Sequence, residues 1–276
     1  MKSGATLDPE TETAFFSGLK MRNGTFKETS PSRFAEMEAT LAAALTSDAD
    51  KIKRALDVGM SNGQTTAEFA DFLSGAGISA ALTGTDLFID AHLIDLGSDL
   101  YVLTDAQGWP LQYDFKGRAI RAWTRRLDYL TLAAIPRAVA RKTLRNALVR
   151  KITRAETRPI KMVCQALKER KIAWVENDIL VRTKAFEARF DFIRAANILN
   201  KGYFPVEDLR KAVANIKAYS TGPGALLLVV RTTNDENHGT LFKLKADTGY
   251  EVVTRFGEGS EIETLVLTQG SASELD

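Results

Sequence analysis

The chemistry-bearing residues concentrate in Leu56-Asp57-Val58-Gly59-Met60-Ser61-Asn62-Gly63-Gln64-Thr65-Thr66. An apolar stretch carrying one acid runs through two glycines into a helix-forming segment. Glycine has no Cβ, so a ligand can approach the backbone of such a turn closely. Three chemistries compete for it. A dinucleotide fingerprint, G-x-G-x-x-G, requires glycines where Ser61 and Gln64 stand. A nucleophile elbow, G-x-S-x-G, matches Gly59–Gly63 literally, and Ser61, an aspartate and His238 come in the order of a hydrolase triad. That fold places several strands and an oxyanion-hole loop ahead of the nucleophile, whereas only about fifty mostly helical or polar residues precede this turn. The third reading is a nucleoside-binding turn, with Asp57 two positions before the first glycine.

Further candidates lie at the ends of other apolar runs. Asp86 closes the second strand, 27 residues after Gly59. A carboxylate there can accept from both hydroxyls of a ribose; it can equally be a loop acid, as Asp57 can be a helix cap. Asn177 and Asp178 follow the third strand, where Asn-Asp is also a common turn. Asn197 and Asn200 follow the fourth, facing the site or bonding to nearby backbone. Tyr203-Phe204 is a packing pair or a substrate clamp. His238 falls in the loop Arg231–Gly239 after the fifth strand. It can deprotonate an acceptor hydroxyl or simply face solvent. One cysteine, Cys164, excludes internal disulfides and multi-cysteine metal sites, and two histidines, His92 and His238, exclude a histidine-rich one. No metal site is expected.

These residues need a scaffold, and the hydrophobic periodicity supplies one. Ser30-Pro31 reads as an N-cap and first helical position, and Phe34, Met37, Leu41 and Leu45 make residues 31–46 an amphipathic helix. Strands are expected at Arg54–Val58, Ala80–Thr85, Ile172–Val175, Phe190–Ala195 and Ala225–Arg231. Helices are expected at Thr65–Leu73 and Val206–Ala218. Near-continuous apolar strands alternating with helices indicate an α/β fold with a parallel sheet covered on both faces. Gly249–Phe256 and Glu261–Thr268, joined through Gly257-Glu258-Gly259, read as an antiparallel pair at the sheet edge. Residues 91–171 interrupt the rhythm at far more than the length of a βα crossover. They open with a hairpin, Leu100–Leu103 and Leu111–Phe115. Two basic helices follow, one with the stripe Ile120, Trp123, Leu127 and Leu130, the other with Leu144, Leu148 and Ile152, separated by Pro136. The domain reading is an N-terminal arm and helix (1–53) and a ligand-binding domain (54–276) carrying an inserted cap or docking subdomain (91–171).

The 276 residues are 45% hydrophobic and 26% charged, a globular composition. The charge is uneven. Lys116–Lys171 holds 17 Lys/Arg against three acids, a net of +14, so the rest of a chain with net charge +2 carries −12. A basic segment on an acidic body suits a polyanionic partner, such as lipid headgroups, nucleic acid or a phosphorylated acceptor, or is a solvated face. The aliphatic runs in 116–171 favour an anionic membrane surface over nucleic acid. No readable signal peptide and no apolar stretch near membrane-spanning length lead to the expectation of a cytoplasmic protein, peripheral at the inner membrane surface. Oligomeric state is not legible.

The turn after the first strand, together with Asp86, resembles motif I and the ribose-binding acid of the class I S-adenosylmethionine-dependent methyltransferases. The likeness covers residues 54–86 and 172–268. It implies a Rossmann-like, mostly parallel seven-stranded sheet with helices on both faces, an antiparallel C-terminal edge strand and a large basic insert after the second strand. It implies S-adenosyl-L-methionine as cofactor, held by Asp57, Gly59, Ser61, Asn62, Gly63, Asp86, Leu87, Asn177, Asp178, Ile179 and Ala195. It further implies methyl transfer to an oxygen or nitrogen of a small-molecule, lipid-linked or glycan-type acceptor, aided by His238, Asn197 and Tyr203. The run Phe190–Leu199 ending in Tyr203-Phe204 is also similar to chemotaxis-receptor methyltransferases. The Asn197–Tyr203 spacing is longer here and that family's helical N-terminal domain is hardly present in 1–53, so receptor glutamates are not carried over as substrate. RNA or protein acceptors, a non-catalytic cofactor-binding docking module and a hydrolase at Ser61 stay as alternatives.

Overall fold

A computed structural model describes residues 12, 15, 16, 19, 21, 27, 31–123, 134–246 and 249–269. The chain divides into two compact units, one of residues 30–87 and 166–276, the other of 1–29 and 88–165. The first is built on a seven-stranded sheet. Its strands are β1 (Arg54–Val58), β2 (Ala81–Asp86), β8 (Ala173–Glu176), β9 (Phe192–Ala196), β10 (Leu226–Thr233), β11 (Glu236–Lys245) and β12 (Gly249–Phe256). They lie side by side as β8-β2-β1-β9-β10-β11-β12. The first five are parallel; β11 is reversed against both neighbours, so β12 runs with the parallel set.

Alternation along the strands sends two sets of side chains to opposite faces. Leu56, Val58, Ile193, Ala195, Leu227 and Val229 pack with α5 (Val206–Tyr219) and α6 (Glu263–Thr268) in one core. Asp57, Arg194, Leu228 and Val230 face the other way, toward α1 (Ala35–Leu45) and α2 (Gln64–Gly75). Helix α5 buries Leu209, Ala212, Val213, Ile216 and Tyr219, a 3–4 spacing that makes a single apolar stripe. Helix α1 begins at Ala35 rather than at Pro31, which lies in a turn; the expected cap Ser30 falls outside the described residues.

The C-terminal expectation is corrected. Glu261–Thr268 is not a strand. It contains α6, whose N-cap Ile262 and inner Val266, four apart, are both buried, a helical spacing. The strand that pairs β12 is β11, in a segment read as a loop. Its polar start, Glu236-Asn237-His238-Gly239, hid it, and a bulge at Leu241/Phe242 breaks its alternation. A signal was present: Asn234 and Asp235 take φ of 51° and 65°, the two left-handed positions of a two-residue hairpin turn between Thr233 and Glu236.

The second unit is a five-stranded antiparallel sheet in the order β6-β5-β4-β3-β7. It is formed by β3 (Asp90–Asp95), β4 (Leu100–Asp105), β5 (Pro110–Phe115), β6 (Arg118–Arg121) and β7 (Arg158–Lys161). One helix, α3 (Ala134–Thr153), packs on it through Leu144, Leu148 and Ile152 against Ile94, Val102, Tyr113 and Ala122. Of the expected first basic helix, Ile120 lies instead on β6, which pairs with β5; Leu127 and Leu130 fall outside the described residues. Pro136, expected to separate two helices, lies within α3 close to its first described residue, Ala134; residues 124–133 before it fall outside the described residues.

Candidate functional site

In an open parallel sheet, ligands bind outside the carboxyl ends of the strands where the strand order reverses. Here the reversal lies between β1 and β9, because the chain goes from β1 outward to β2 and β8 and then returns to β9 and β10. The register aligns Val58 with Thr85 and Ala195, Asp86 with Glu176, and Ala196 with Val230. The Gly59–Gly63 turn, Asp86, Asn177-Asp178 and Asn197 therefore stand along one edge.

The turn between β1 and α2 is tightly wound. Gly59, Ser61 and Gly63 have φ of 77°, 59° and 89°. A Cβ on Gly59 would sit 2.9 Å from Ile198 Cβ, and one on Gly63 2.8 Å from Cδ2 of Leu167, on the short helix α4 (Gln165–Glu169). At Gly59 packing and conformation together call for glycine; at Gly63 the positive φ does, since the end of the Leu167 side chain can shift. Five turn amides are satisfied from within the protein. Gly59 and Met60 N–H donate to Thr85 O at 2.8 and 2.9 Å, and Gly63 N–H to Met60 O at 2.8 Å. Ser61 N–H donates to Asp86 Oδ2 at 2.9 Å, and Gln64 N–H to Asn62 Oδ1 at 3.1 Å. Asn62 thus satisfies the first N–H of α2 across the N-cap Gly63, and Asp86 ties the tip of β2 to the turn. Leu87, exposed, follows Asp86 directly.

Asp57 faces α2 and is committed to a buried ion pair. Arg194 of β9 donates from Nε to Asp57 Oδ1 at 2.8 Å and from Nη2 to Oδ2 at 2.7 Å, and Thr66 Oγ1 donates to Oδ2 at 2.6 Å. Arg194 Nη2 also reaches Thr65 O, and the guanidinium lies 4.2 Å from the Phe69 ring centroid and 5.5 Å from that of Phe34. Beside it a small cavity is lined by Phe34, Met37, Glu38, Glu68 and Phe69. Burial and then the Glu68 charge push the Glu38 carboxyl up, with Arg194 opposing. Sequence reasoning missed the Asp57–Arg194 pair. The available signal was an arginine inside an apolar strand, which needs an anion beside it.

The remaining predicted residues have defined partners. Asn177 Nδ2 donates to Thr183 Oγ1 at 2.6 Å, and Asp178 Oδ1 accepts from Leu180 N–H at 2.9 Å, the turn role of that residue type. Ile179 and Ala195 are buried in the α5 core. Asn197, at φ 58°, accepts from Thr232 N–H at 2.7 Å and straps the β9 loop to β10. Tyr203 is exposed, its N–H bonded to Asn200, whose side chain is buried. His238 is on β11 opposite Arg231, not in a loop. Its Nδ1 accepts from Glu258 N–H at 3.1 Å, which puts the proton on Nε2, 3.8 Å from Glu236 Oε2. With its Nδ1 lone pair taken by the Glu258 N–H, it is not placed as a ready base. It also lies three strands from β1, about 14 Å at ~4.8 Å per strand, beyond hydrogen-bonding reach of Ser61. The hydrolase triad does not assemble.

Among the described residues, no cluster of three or more His, Cys, Asp or Glu could hold a metal ion, and no helix is long and apolar enough to cross a membrane.

No family model matches the chain, and no curated protein does. Solved structures that it resembles include the N-methyltransferase NodS from Bradyrhizobium japonicum WM9, in complex with S-adenosyl-L-homocysteine. That likeness has 17% identity over 72% of this chain and 62% of that one, TM-score 0.35. The chain thus spans less than two thirds of that protein's length. CalS10, an amino pentose methyltransferase from Micromonospora echinaspora solved with S-adenosylmethionine bound, is 11% identical over 91% of this chain and 75% of that one, TM-score 0.36. DesVI from Streptomyces venezuelae is 11% identical over 80% and 68%, TM-score 0.34.

Proposed function

We propose that this chain is an S-adenosylmethionine-dependent methyltransferase, moving a methyl group to an oxygen or nitrogen of a small or lipid- or glycan-type acceptor. The observation that carries the cofactor class is the state of the glycine turn. Pyrophosphate-binding turns present free amide N–H groups to an anion. Here five amides are spent on Thr85, Met60, Asn62 and Asp86, and a carboxylate stands at the turn's mouth. Such a turn disfavours phosphate and suits a neutral ribose diol attached to a cationic sulfonium.

The residues present fit that group. Asp86 would accept from the ribose hydroxyls while its bond to Ser61 N–H holds it in place. Gly59 and Gly63 allow the tight winding that brings the turn beside Asp86, and exposed Leu87 offers aliphatic surface next to it. The bound cofactor supplies a methyl on an excellent leaving group, so the protein needs chiefly to orient the acceptor and exclude water. The Asn197–Thr232 strap fixes the β9 loop from which an acceptor would be met. His238, its Nδ1 lone pair taken by the Glu258 N–H, leaves acceptor deprotonation to another group or to the acceptor's own lone pair.

Calorimetry of the whole chain against S-adenosylmethionine, S-adenosylhomocysteine and NAD tests this. Binding of the first two and not the third is expected, and Asp86→Ala should weaken it by about 1–3 kcal/mol, the worth of a hydrogen bond to a charged group. Preference for NAD, or unchanged affinity in Asp86→Ala, would overturn the reading. Cofactor binding with no turnover on any acceptor would favour a docking module instead.

A further inference from the structure

The second unit carries a surface that the cofactor reading does not use. Helix α3 has six Lys/Arg in 20 residues and no acid. Its inward stripe is spent on the sheet. Its outward positions combine Lys142 and Arg150 with Ile135 (63% exposed), Val139 (55%) and Val149 (36%). The sheet extends this surface. Ile94, Val102, Tyr113 and Ile120 are cross-strand neighbours on one face. The first three are buried in the α3 core, while Ile120, on edge strand β6, emerges into solvent. Arg137 and Arg141 of α3 donate to Arg121 O and Ala122 O, which pins the N-terminal half of the helix beside that edge. At the β5–β6 turn Phe115 is also exposed, with Lys116 Nζ 5.4 Å from its ring centroid. Five of the eleven exposed large hydrophobics of the chain's described residues thus gather on one hairpin and one helix that are otherwise basic.

We infer that this α3–β6 face docks on an anionic phospholipid surface, its cations on the headgroups and its aliphatic side chains at the acyl boundary. The charge is complementary to anionic lipid, and the exposed apolar side chains are chiefly aliphatic. Nucleic acid would call for open aromatic faces on which bases stack. The two tryptophans of this unit do not offer them: Arg145 lies 4.3 Å from the Trp109 ring centroid and Arg141 4.5 Å from that of Trp123. Oriented binding would present the chain to an acceptor held in the membrane, but the docking itself stands apart from the cofactor reading.

The test is co-sedimentation of the full chain with phosphatidylcholine vesicles, with and without phosphatidylserine, in the absence of cofactor. Binding only to the phosphatidylserine vesicles is expected, weakened about tenfold or more by the double variant Lys142→Glu/Arg150→Glu. Val139→Ser, which leaves the net charge intact, should weaken it severalfold even at high salt, where purely electrostatic attraction is screened. Circular dichroism of each variant verifies the fold, and calorimetry with S-adenosylmethionine should give wild-type affinity, so the two proposals fail separately. Equal binding to both vesicle types, wild-type binding by the double variant, or tight salt-dependent binding to RNA without binding to anionic vesicles would each overturn the inference.

Discussion

Arg194 is where fold and site are most tightly joined, and removing its charge should be costly. Its side chain is 4% exposed and that of Asp57 2%. Arg194→Met keeps much of the volume between Phe34 and Phe69 but leaves the Asp57 carboxylate buried, with Thr66 Oγ1 as its one remaining partner among the contacts described above. Breaking a buried pair from one side costs about 3–5 kcal/mol, and the lost stacking on Phe69 adds roughly 1 kcal/mol. A domain with ~5–15 kcal/mol of total stability would lose a large share. The assay is guanidinium unfolding at neutral pH, with Asp57→Leu and the double variant Asp57→Leu/Arg194→Met completing the cycle. The double variant removes both charges, so it should be markedly more stable than the sum of the single losses predicts. If Arg194→Met costs less than about 1 kcal/mol, or if the single losses simply add, the pair is not the uncompensated-charge trap described here.

Three further outcomes are expected. Gly59→Ala, which meets Ile198 at 2.9 Å with φ 77°, should cost about 1–3 kcal/mol in denaturant unfolding and weaken S-adenosylmethionine binding; a neutral result would mean that the turn yields easily. Burial pushes the Tyr250 hydroxyl up to about 12 despite its bond to Ser220. The folded state therefore holds the proton that an unfolded tyrosine loses near pH ~10, so roughly 2–3 kcal/mol of stability, fully present below that pH, is lost as pH rises through the folded value. Alkaline unfolding of Tyr250→Phe should be correspondingly less pH-dependent, and an unchanged slope would refute the assignment. Arg255, bonded to Glu263 from Nε at 2.9 Å and Nη2 at 2.7 Å, holds that carboxyl below its usual range, assisted by Thr240 and opposed by burial. The stability it confers is present above the ordinary carboxylate pKa and lost as pH falls through the lower folded value. Glu263→Gln should lower the denaturant midpoint at neutral pH and flatten the acid limb, and parallel pH curves for the two proteins would refute this.

What the sequence made legible follows from burial. Strands β1, β2, β9 and β10 each lie between two neighbours, so their apolar runs are recognisable without a partner, whereas β8 is an edge strand whose Ala173, Val175 and Glu176 are exposed. Helix α5 was legible because a single stripe of five apolar side chains meets the core. Legibility fell where an element's identity depends on its neighbour. Strand β11 begins with polar residues because its start pairs at the exposed end of β10, and its bulge breaks the period of two. Six-residue α6 has too few positions for a periodicity of 3.6 to differ from alternation, and its fate is decided by the contacts of Ile262 and Val266 and by the Arg255–Glu263 bond. In the site, residue types and spacing located the strand tips, which the register brings onto one edge. They did not locate the side-chain commitments. Asp57 and Asp86 look alike in sequence, each an acid at the end of a strand. One closes on a buried guanidinium delivered by a strand 137 residues away, and the other stands at the turn's mouth. Which of two such carboxylates is structural is set by the residue that faces it across the sheet, and that is a property of register rather than of spacing along the chain.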